Sequence, residues 1–339
     1  MSATTRPTIK DVAERAAVSL STVSAVLNAT APASQATRLR VLAAVAELGY
    51  EPNSQARNLK RQRSHAIGLI VPDIVNPFFA LVAEGMGDEA RRRDYVLVLC
   101  STDSDARREA SFARLLRARR LDGIVHLSGT GLPPAALLDL TAGSPVVVVD
   151  ERVPGLRGPF VGSDNRRGAR LAAELALRHG HRRFGIVAGP EGLWTAEQRL
   201  AGYREALAAA GVDPDGVATV HGDYRLESGR AAAATLLAGS PRPTALLAAN
   251  DLMAIGCLQH ALRTGIDVPR ELGVIGYDDI PPAGVVTPAL TTVRQPAREM
   301  GRVAAELLLD GLAGDTVPSS VDLPPTVVER ESLVEAVAA

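Results

Sequence analysis

The sequence predicts a two-part α/β protein: a small three-helix head of the helix-turn-helix type, then a larger body of alternating strands and helices. Three observations predict it. The opening stretch TIKDVAERAAVSLSTVSAVLN carries apolar residues at helical spacing on either side of a two-residue break. From Ala66 onward, short β-rich runs such as IGLIV, YVLVLC and PVVVVD alternate with longer helical segments, as in parallel sheets covered on both faces. Charge is also divided unevenly. Residues 1–63 hold nine Lys/Arg against four Asp/Glu and the remainder 28 against 34, so a net charge of −1 conceals a basic head on an acidic body. A chain of 339 residues, 46% hydrophobic and 22% charged, has room for two or three domains with substantial cores.

In the head, Thr8 can cap a first helix, with Asp11 at its third position, and Ile9, Val12, Ala13 and Ala16 make one apolar stripe. Ala17-Val18 forms the turn. Ser19 can cap a second helix, whose Val23, Val26 and Leu27 face inward while Leu20, Ser21, Thr22 and Ala25 remain outside. Short side chains on that outer face let a helix enter the major groove. A third helix is expected over 35–48, capped by Ser34, with Leu39, Leu42, Val45 and Ala46 on its inner face. Gly49-Tyr50-Glu51-Pro52 ends it, and Asn53 can cap a short basic helix, SQARNLKR, which on composition alone reads as a solvated linker.

The unbroken pattern T-I-K-D-V-A, then V-S-L-S-T-V-S-A-V-L-N, resembles the headpiece of the lactose-repressor family of bacterial regulators. The resemblance implies DNA contacts from Thr8, Ser19, Leu20, Ser21, Thr22, Ser24, Ala25 and Asn28. It also makes GYEPNSQARNLK a hinge helix that folds on operator DNA, with Tyr50, Asn53, Ala56, Arg57, Leu59 and Lys60 at the duplex. Leu59 matches a leucine that wedges into the minor groove and kinks a central step. With two apolar side chains and one short hydroxyl (Leu20, Ala25, Ser21) reading each half-site, thymine methyls and DNA deformability are expected to carry much of the preference.

In the body, helices are expected at about 78–92, 106–119 and 134–142, then 166–178, 195–210, 225–238 and 251–263, between strands FGIVAG, ATVHG, ALLAAN and LGVIGYD. A late helix, 297–312, should cross back to the first series. Ligands of open parallel sheets sit beyond the strands' carboxyl ends, where this chain places Asp73, Asn76, Asp150, Asn250-Asp251 and Tyr277-Asp278-Asp279. The body resembles the same family's effector domain, with a periplasmic-binding-protein-like fold of two subdomains. The expected boundaries are 1–52 for the head, 53–63 for the hinge and 64–339 for the body. Within the body, one subdomain takes about 64–163 and 293–322, the other about 164–292 and 323–339.

The resemblance carries effector-binding roles to Phe78 and Phe79 in the first subdomain, beside the strand-end candidates Asp73 and Asn76, and to Asp150 at its rim. From the second it adds Arg199, Tyr224, Asn250 and Asp278, with Trp194 as an extra stacking surface. Carboxylates, an amide and a guanidinium on aromatic walls suit a neutral polyhydroxylated ring. Leu193-Trp194 stands where a purine-responsive relative has an arginine, which favours a sugar; YVLVLCSTDSD and GYDD are similar to ribose-type members.

The function implied is a sequence-specific repressor, a cytoplasmic homodimer released from a palindromic operator DNA by a small sugar such as ribose. The alternatives are a periplasmic-type sugar-binding protein without DNA function, a corepressor-dependent regulator responding to a nucleobase, and an α/β enzyme with a DNA-binding head. The opening residues show no secretory leader and no apolar run reaches membrane-spanning length, so no membrane partner is expected. ESLVEAVAA adds no heptads, so a coiled-coil tetramer is not expected. Six scattered histidines, two cysteines in apolar contexts and the lack of H-E-x-x-H, G-x-S-x-G or Walker motifs point to no metal, no cofactor and no catalysis.

Overall fold

The computed structural model describes residues 7–28, 31–50, 63–118, 121–127, 129, 145–152 and 158–336. It forms two compact units, Met1–Arg63 and Ser64–Ala339. The segments expected as a hinge helix and as a helix over 134–142 lie outside the described residues, as do Asn53, Ala56, Arg57, Leu59 and Lys60.

The first unit contains α1 (Ile9–Ala16), α2 (Leu20–Asn28) and α3 (Gln35–Leu48). Val12, Ala13, Ala16, Val23, Val26, Val41 and Ala44 make its core. Ala17 turns the chain in the left-handed region at φ 49, and the Val18 N–H then closes on the Ala13 carbonyl at 3.1 Å. Ser34 caps α3 by accepting the Thr37 N–H at 3.2 Å. The inner face of α3 differs from the one expected. Leu39 and Leu42 are 62% and 48% exposed and Ala46 is exposed too; Val45 packs inward as expected, joined by Val41, Ala44 and Leu48. Both sets have helical spacing, and only the positions of α1 and α2 decide between them.

The second unit holds two parallel sheets. The first has six strands in the order β11-β5-β4-β3-β1-β2. These are β1 (Ala66–Val71), β2 (Val96–Ser101), β3 (Gly123–His126), β4 (Val146–Val149), β5 (Phe160–Ser163) and β11 (Ser320–Leu323). Helices α4 (Pro77–Arg92) and α5 (Ala106–Arg117) follow β1 and β2. The second sheet has the order β7-β6-β8-β9, from β6 (Phe184–Ala188), β7 (Ala218–His221), β8 (Ala245–Ala248) and β9 (Gly273–Ile275). Its helices are α6 (Asn165–Arg178), α7 (Trp194–Ala209), α8 (Leu226–Leu237) and α9 (Asp251–Thr264). The antiparallel pair β10 (Thr292–Arg294) and β12 (Thr326–Val328) forms its own ladder, bridged to the end of β9 and the residues after it at Ile275–Thr291 and Asp278–Arg294. Strands β5, β10, β11 and β12 are additions to the sequence reading. Each is three or four residues long, and its pairing lies with distant segments.

The late helix, α10 (Ala297–Ala313), belongs to the first core: Met300, Ala304 and Leu308 pack with Phe78, Val82 and Met86 of α4. Gly85 and Gly301 make this possible. A Cβ on either would strike backbone of the facing helix, at Arg298 or Val82, so the two axes approach only because both side chains are absent. Three described segments therefore carry the chain between the subdomains: β5 to α6, β10 to α10, and β11 to β12. Cys100 and Cys257 are free and buried, and burial pushes both thiols up, Cys257 to about 12.

Candidate functional site

The first unit presents a small polar face. The Thr8 N–H and hydroxyl both donate to the Asp11 carboxylate, at 2.7 and 2.8 Å, which fixes the start of α1 and holds that carboxyl below its usual range. The Ser19 hydroxyl accepts the Thr22 N–H at 3.1 Å and also meets the hydroxyls of Ser21 and Thr22 at 2.7 and 2.8 Å. One cap thus gathers three candidate DNA-contacting side chains at the start of α2, beside Leu20, which is 44% exposed. Ser24 and Ala25 are half-buried, Asn28 ends the helix, and Tyr50 packs against the head core.

In the second unit the site grows around Arg199, on the second turn of α7. Its guanidinium is almost wholly buried, lies 4.0 Å from the Tyr277 ring centroid and 5.8 Å from that of Tyr224, and faces Asp278 at 3.4 Å. Arg199 Nε donates to Asn165 Oδ1 at 2.8 Å, and Nη1 donates to the Ala249 carbonyl. Burial opposes the charge, but Asp278, Tyr224, Tyr277 and Asp150 together more than offset it, so the guanidinium stays protonated. Asp278 in turn accepts from Gln295 Nε2 at 2.8 Å. Burial pushes the Asp278 carboxyl up to about 7 against the pull of Arg199.

Asp150, ending β4, reaches this group from the first subdomain. It feels the charge of Arg199, which opposes the upward push of burial on its carboxyl. Its Oδ1 is shielded from solvent and, like Gln295 Oε1, has no hydrogen-bond partner among the described residues. Buried acceptors without a donor are rare, and one facing a cleft can take a donor from a bound molecule. Asp150, Tyr224 and Asp278 all hold left-handed backbone, at φ 65, 66 and 105. Such strain in non-glycine residues gathers at binding sites. Tyr224 is half-buried, and burial pushes its phenol up to about 12, so it stays neutral and able to donate.

The other expected positions divide. Asn250 is fully engaged: its Oδ1 accepts the Met253 N–H and its Nδ2 donates to the Tyr224 carbonyl, both at 2.9 Å. It caps α9 and pins the Tyr224 loop. Asn76 caps α4 by accepting the Phe78 N–H at 3.0 Å. Phe78 is 2% exposed and belongs to the first core, whereas Phe79 is half-buried and packs on that core with its ring 5.5 Å away, edge-on. Asp73 accepts the Val75 N–H at 2.8 Å and faces Arg225 of the second subdomain at 3.6 Å. Trp194 meets Phe160 edge-on at 6.1 Å, with the Arg152 guanidinium 5.3 Å from its ring. Asp251 is internal, accepting from Thr292 Oγ1 and from the Ile280 N–H.

Four participants are absent from the sequence reading: Asn165, Glu151, Thr195 and Gln295. Glu151 Oε2 accepts from Thr195 Oγ1 at 2.8 Å, and Glu151 Oε1 accepts the Trp194 N–H. Burial first and then Asp150 push the Glu151 carboxyl up to about 7, with the Thr195 and Trp194 bonds opposing. Adjacency to Asp150 and the Gln-Pro before α10 are the only sequence signals these residues carry.

Comparison with known proteins matches both parts of the chain. Residues 8–53 match the model described as "Bacterial regulatory proteins, lacI family", and residues 173–333 that of a periplasmic binding protein-like domain. The ribose operon repressor of Bacillus subtilis is 37% identical over 328 residues, 96% of this chain and 98% of that one. The HTH-type transcriptional repressor CytR of Escherichia coli is 38% identical over 316 residues, 93% and 92% of the two chains. Among solved structures, the lac repressor dimer bound to operator and the anti-inducer ONPF superposes with a TM-score of 0.87 at 28% identity, covering 97% of this chain and all of that one. The chain belongs to the lacI family of bacterial regulatory proteins.

Proposed function

We propose that the chain is a sequence-specific transcriptional repressor that binds a palindromic operator as a homodimer and leaves it when a small neutral sugar enters the cleft. The observation that carries this reading is the Arg199 group. One guanidinium, fixed over the Tyr277 ring and paired to Asp278, lies beside a shielded Asp150 oxygen that has no donor among the described residues. A ring bearing several hydroxyls can donate to Asp150 and accept from Arg199 while its C–H face lies on an aromatic ring. The B. subtilis relative's name makes ribose the first candidate. The operator-bound lac repressor dimer supports two-fold assembly, which pairs half-sites and hinges. Membership of the family makes the chain a DNA-binding regulator and not an enzyme.

The ligand contacts we propose are Asp150, Arg199, Tyr224 and Asp278, with Phe79 and Trp194 at the walls and Gln295 added. On DNA, Leu20, Ser21 and Ala25 read base edges, Ser19, Thr22 and Ser24 approach the backbone, and Leu59 wedges the centre. The proposed boundaries are 1–52, 53–63 and 64–339.

The test titrates ribose, then other sugars, into preformed operator complexes of the wild type and of Arg199→Ala and Asp278→Ala. Each substitution removes charge-assisted hydrogen bonds of about 1.5–3 kcal/mol apiece, a loss of tens-fold or more in ligand affinity. Both variants should bind operator at near wild-type affinity and fail to release it at concentrations that free the wild type. Wild-type release from either variant would place the effector elsewhere.

A further inference from the structure

The two acids that follow β4 are used in different ways. Asp150 keeps a shielded oxygen with no donor among the described residues, whereas both oxygens of Glu151 accept from the other subdomain. Helix α7 starts at Trp194 behind Leu193, whose side chain cannot accept a hydrogen bond, so its first amides take an acceptor from elsewhere. Glu151 supplies it. Its Oε1 accepts the Trp194 N–H and, at 3.3 Å, the Thr195 N–H; its Oε2 accepts from Thr195 Oγ1 at 2.8 Å.

These contacts form a partition. Thr195 Oγ1 also meets the Tyr224 hydroxyl at 3.4 Å, and that hydroxyl is packed so tightly on Gly189 that a Cβ there would stand 2.5 Å from it. On the other flank the Trp194 ring meets Phe160 edge-on, and the Arg152 guanidinium lies 3.9 Å over Phe160. Glu151, Phe160 and Thr195 are only 6%, 5% and 3% exposed, so little space is left among them. Side chains therefore run without a break from β5 of the first subdomain to the end of β6 in the second, directly beside Asp150.

We propose that this partition makes Glu151 a specificity-determining residue, which limits the effector to a free monosaccharide. A sugar that donates a hydroxyl to Asp150 presents that end to the Glu151–Thr195 pair. A hydrogen on the outermost oxygen fits there, whereas an added carbon meets buried side chains already bonded to one another. Glycosides and other ethers at that end are rejected by volume, independently of the hydrogen bonds that hold the ring. The proposal rests on the Arg199 cleft being the effector site.

The test is isothermal titration of the full chain with D-ribose, methyl β-D-ribofuranoside and 5-O-methyl-D-ribose. The two ethers carry the same added carbon at opposite ends of the sugar. The wild type should bind D-ribose and bind one of the ethers more weakly by about tenfold or more, the range over which one carbon is discriminated by a packed pocket. Glu151→Ala removes the carboxyl group and a methylene, and should bind that ether about tenfold more tightly than the wild type does. Glu151→Gln keeps the volume and an acceptor, and should reject the ether as the wild type does. A gain of affinity for the larger ligand is not what mere loss of a helix cap produces. If the alanine variant fails to fold, Glu151→Ser, whose hydroxyl can still accept at the start of α7, takes its place. An ether affinity that does not rise in the smaller variant, or rises equally in Glu151→Gln, overturns the proposal. Wild type that binds ribose and both ethers alike overturns it alone, leaving the Arg199 cleft as the effector site. Wild type that binds none of the three overturns it and also removes ribose from the reading on which it rests.

Discussion

At the scale of single residues, the cleft combines charges that are individually costly. Asp278 is buried, pushed up to about 7, and paired with a buried guanidinium. Its unfolded value is about 3.9, so the folded chain binds the extra proton between roughly pH 4 and pH 7. That contribution to stability is greatest at the acidic end and is lost as pH rises through 7. Thermal melts of the wild type should therefore show a midpoint that climbs as pH is lowered from about 8 toward 5.5. Asp278→Asn resembles the protonated carboxyl but cannot ionise, so its melting midpoint should come closest to the wild type's at the acidic end of that range. It should also flatten the slope; a slope equal to the wild type's would assign the linkage elsewhere. Asp150, Arg199, Tyr224 and Asp278 were legible because each ends a strand or stands in a family pattern. Glu151 was not, since 43 positions separate it from the amide it holds and nothing in G-L-W-T-A-E advertises a missing cap beyond Leu193 itself.

At the scale of elements, the head depends on a core of seven small or β-branched side chains. Val23 at its centre is fully buried. Val23→Ala deletes two methyl groups there, a loss of about 1–3 kcal/mol, which is a large share of what so small a domain has to spare. Calorimetry should show the head's transition moving down while the body's stays, and operator affinity should fall with it; a single unchanged transition would contradict the independence of the two units. The α2 pattern was readable because its apolar residues are unambiguous valines and a leucine. The inner face of α3 was misassigned because Leu39 and Leu42 outweigh Val41 and Ala44 in apolarity, although the latter pair faces α1 and α2. In the body the long strands and helices followed from their periodicity. The four short strands did not, because FVGS or TVV acquires meaning only from partners such as β11 or β10.

At the scale of the molecule, the first subdomain is assembled from segments on both sides of the second. Helix α10 closes the core begun by α4, and β11 forms an edge of the sheet begun by β1. Ending the chain after residue 291 should therefore unmake the first subdomain, not just shorten the protein. Limited proteolysis of that fragment should degrade residues 64–163 while the wild type resists, and a protected fragment would show a core that stands without α10. The three segments that join the subdomains have a mechanical meaning as well. With three crossings the two subdomains cannot move independently, so a change in the cleft is passed to the first subdomain through all of them. Strand β1 runs from Ala66 to the cleft end at Val71, roughly 20 Å of lever. Each degree of swing then moves Ala66, where the body's chain begins, by roughly 0.35 Å on that arm. A sugar-sized adjustment around Arg199 becomes an ångström-scale displacement at the far end of the strand, with no segment needing to unfold to transmit it.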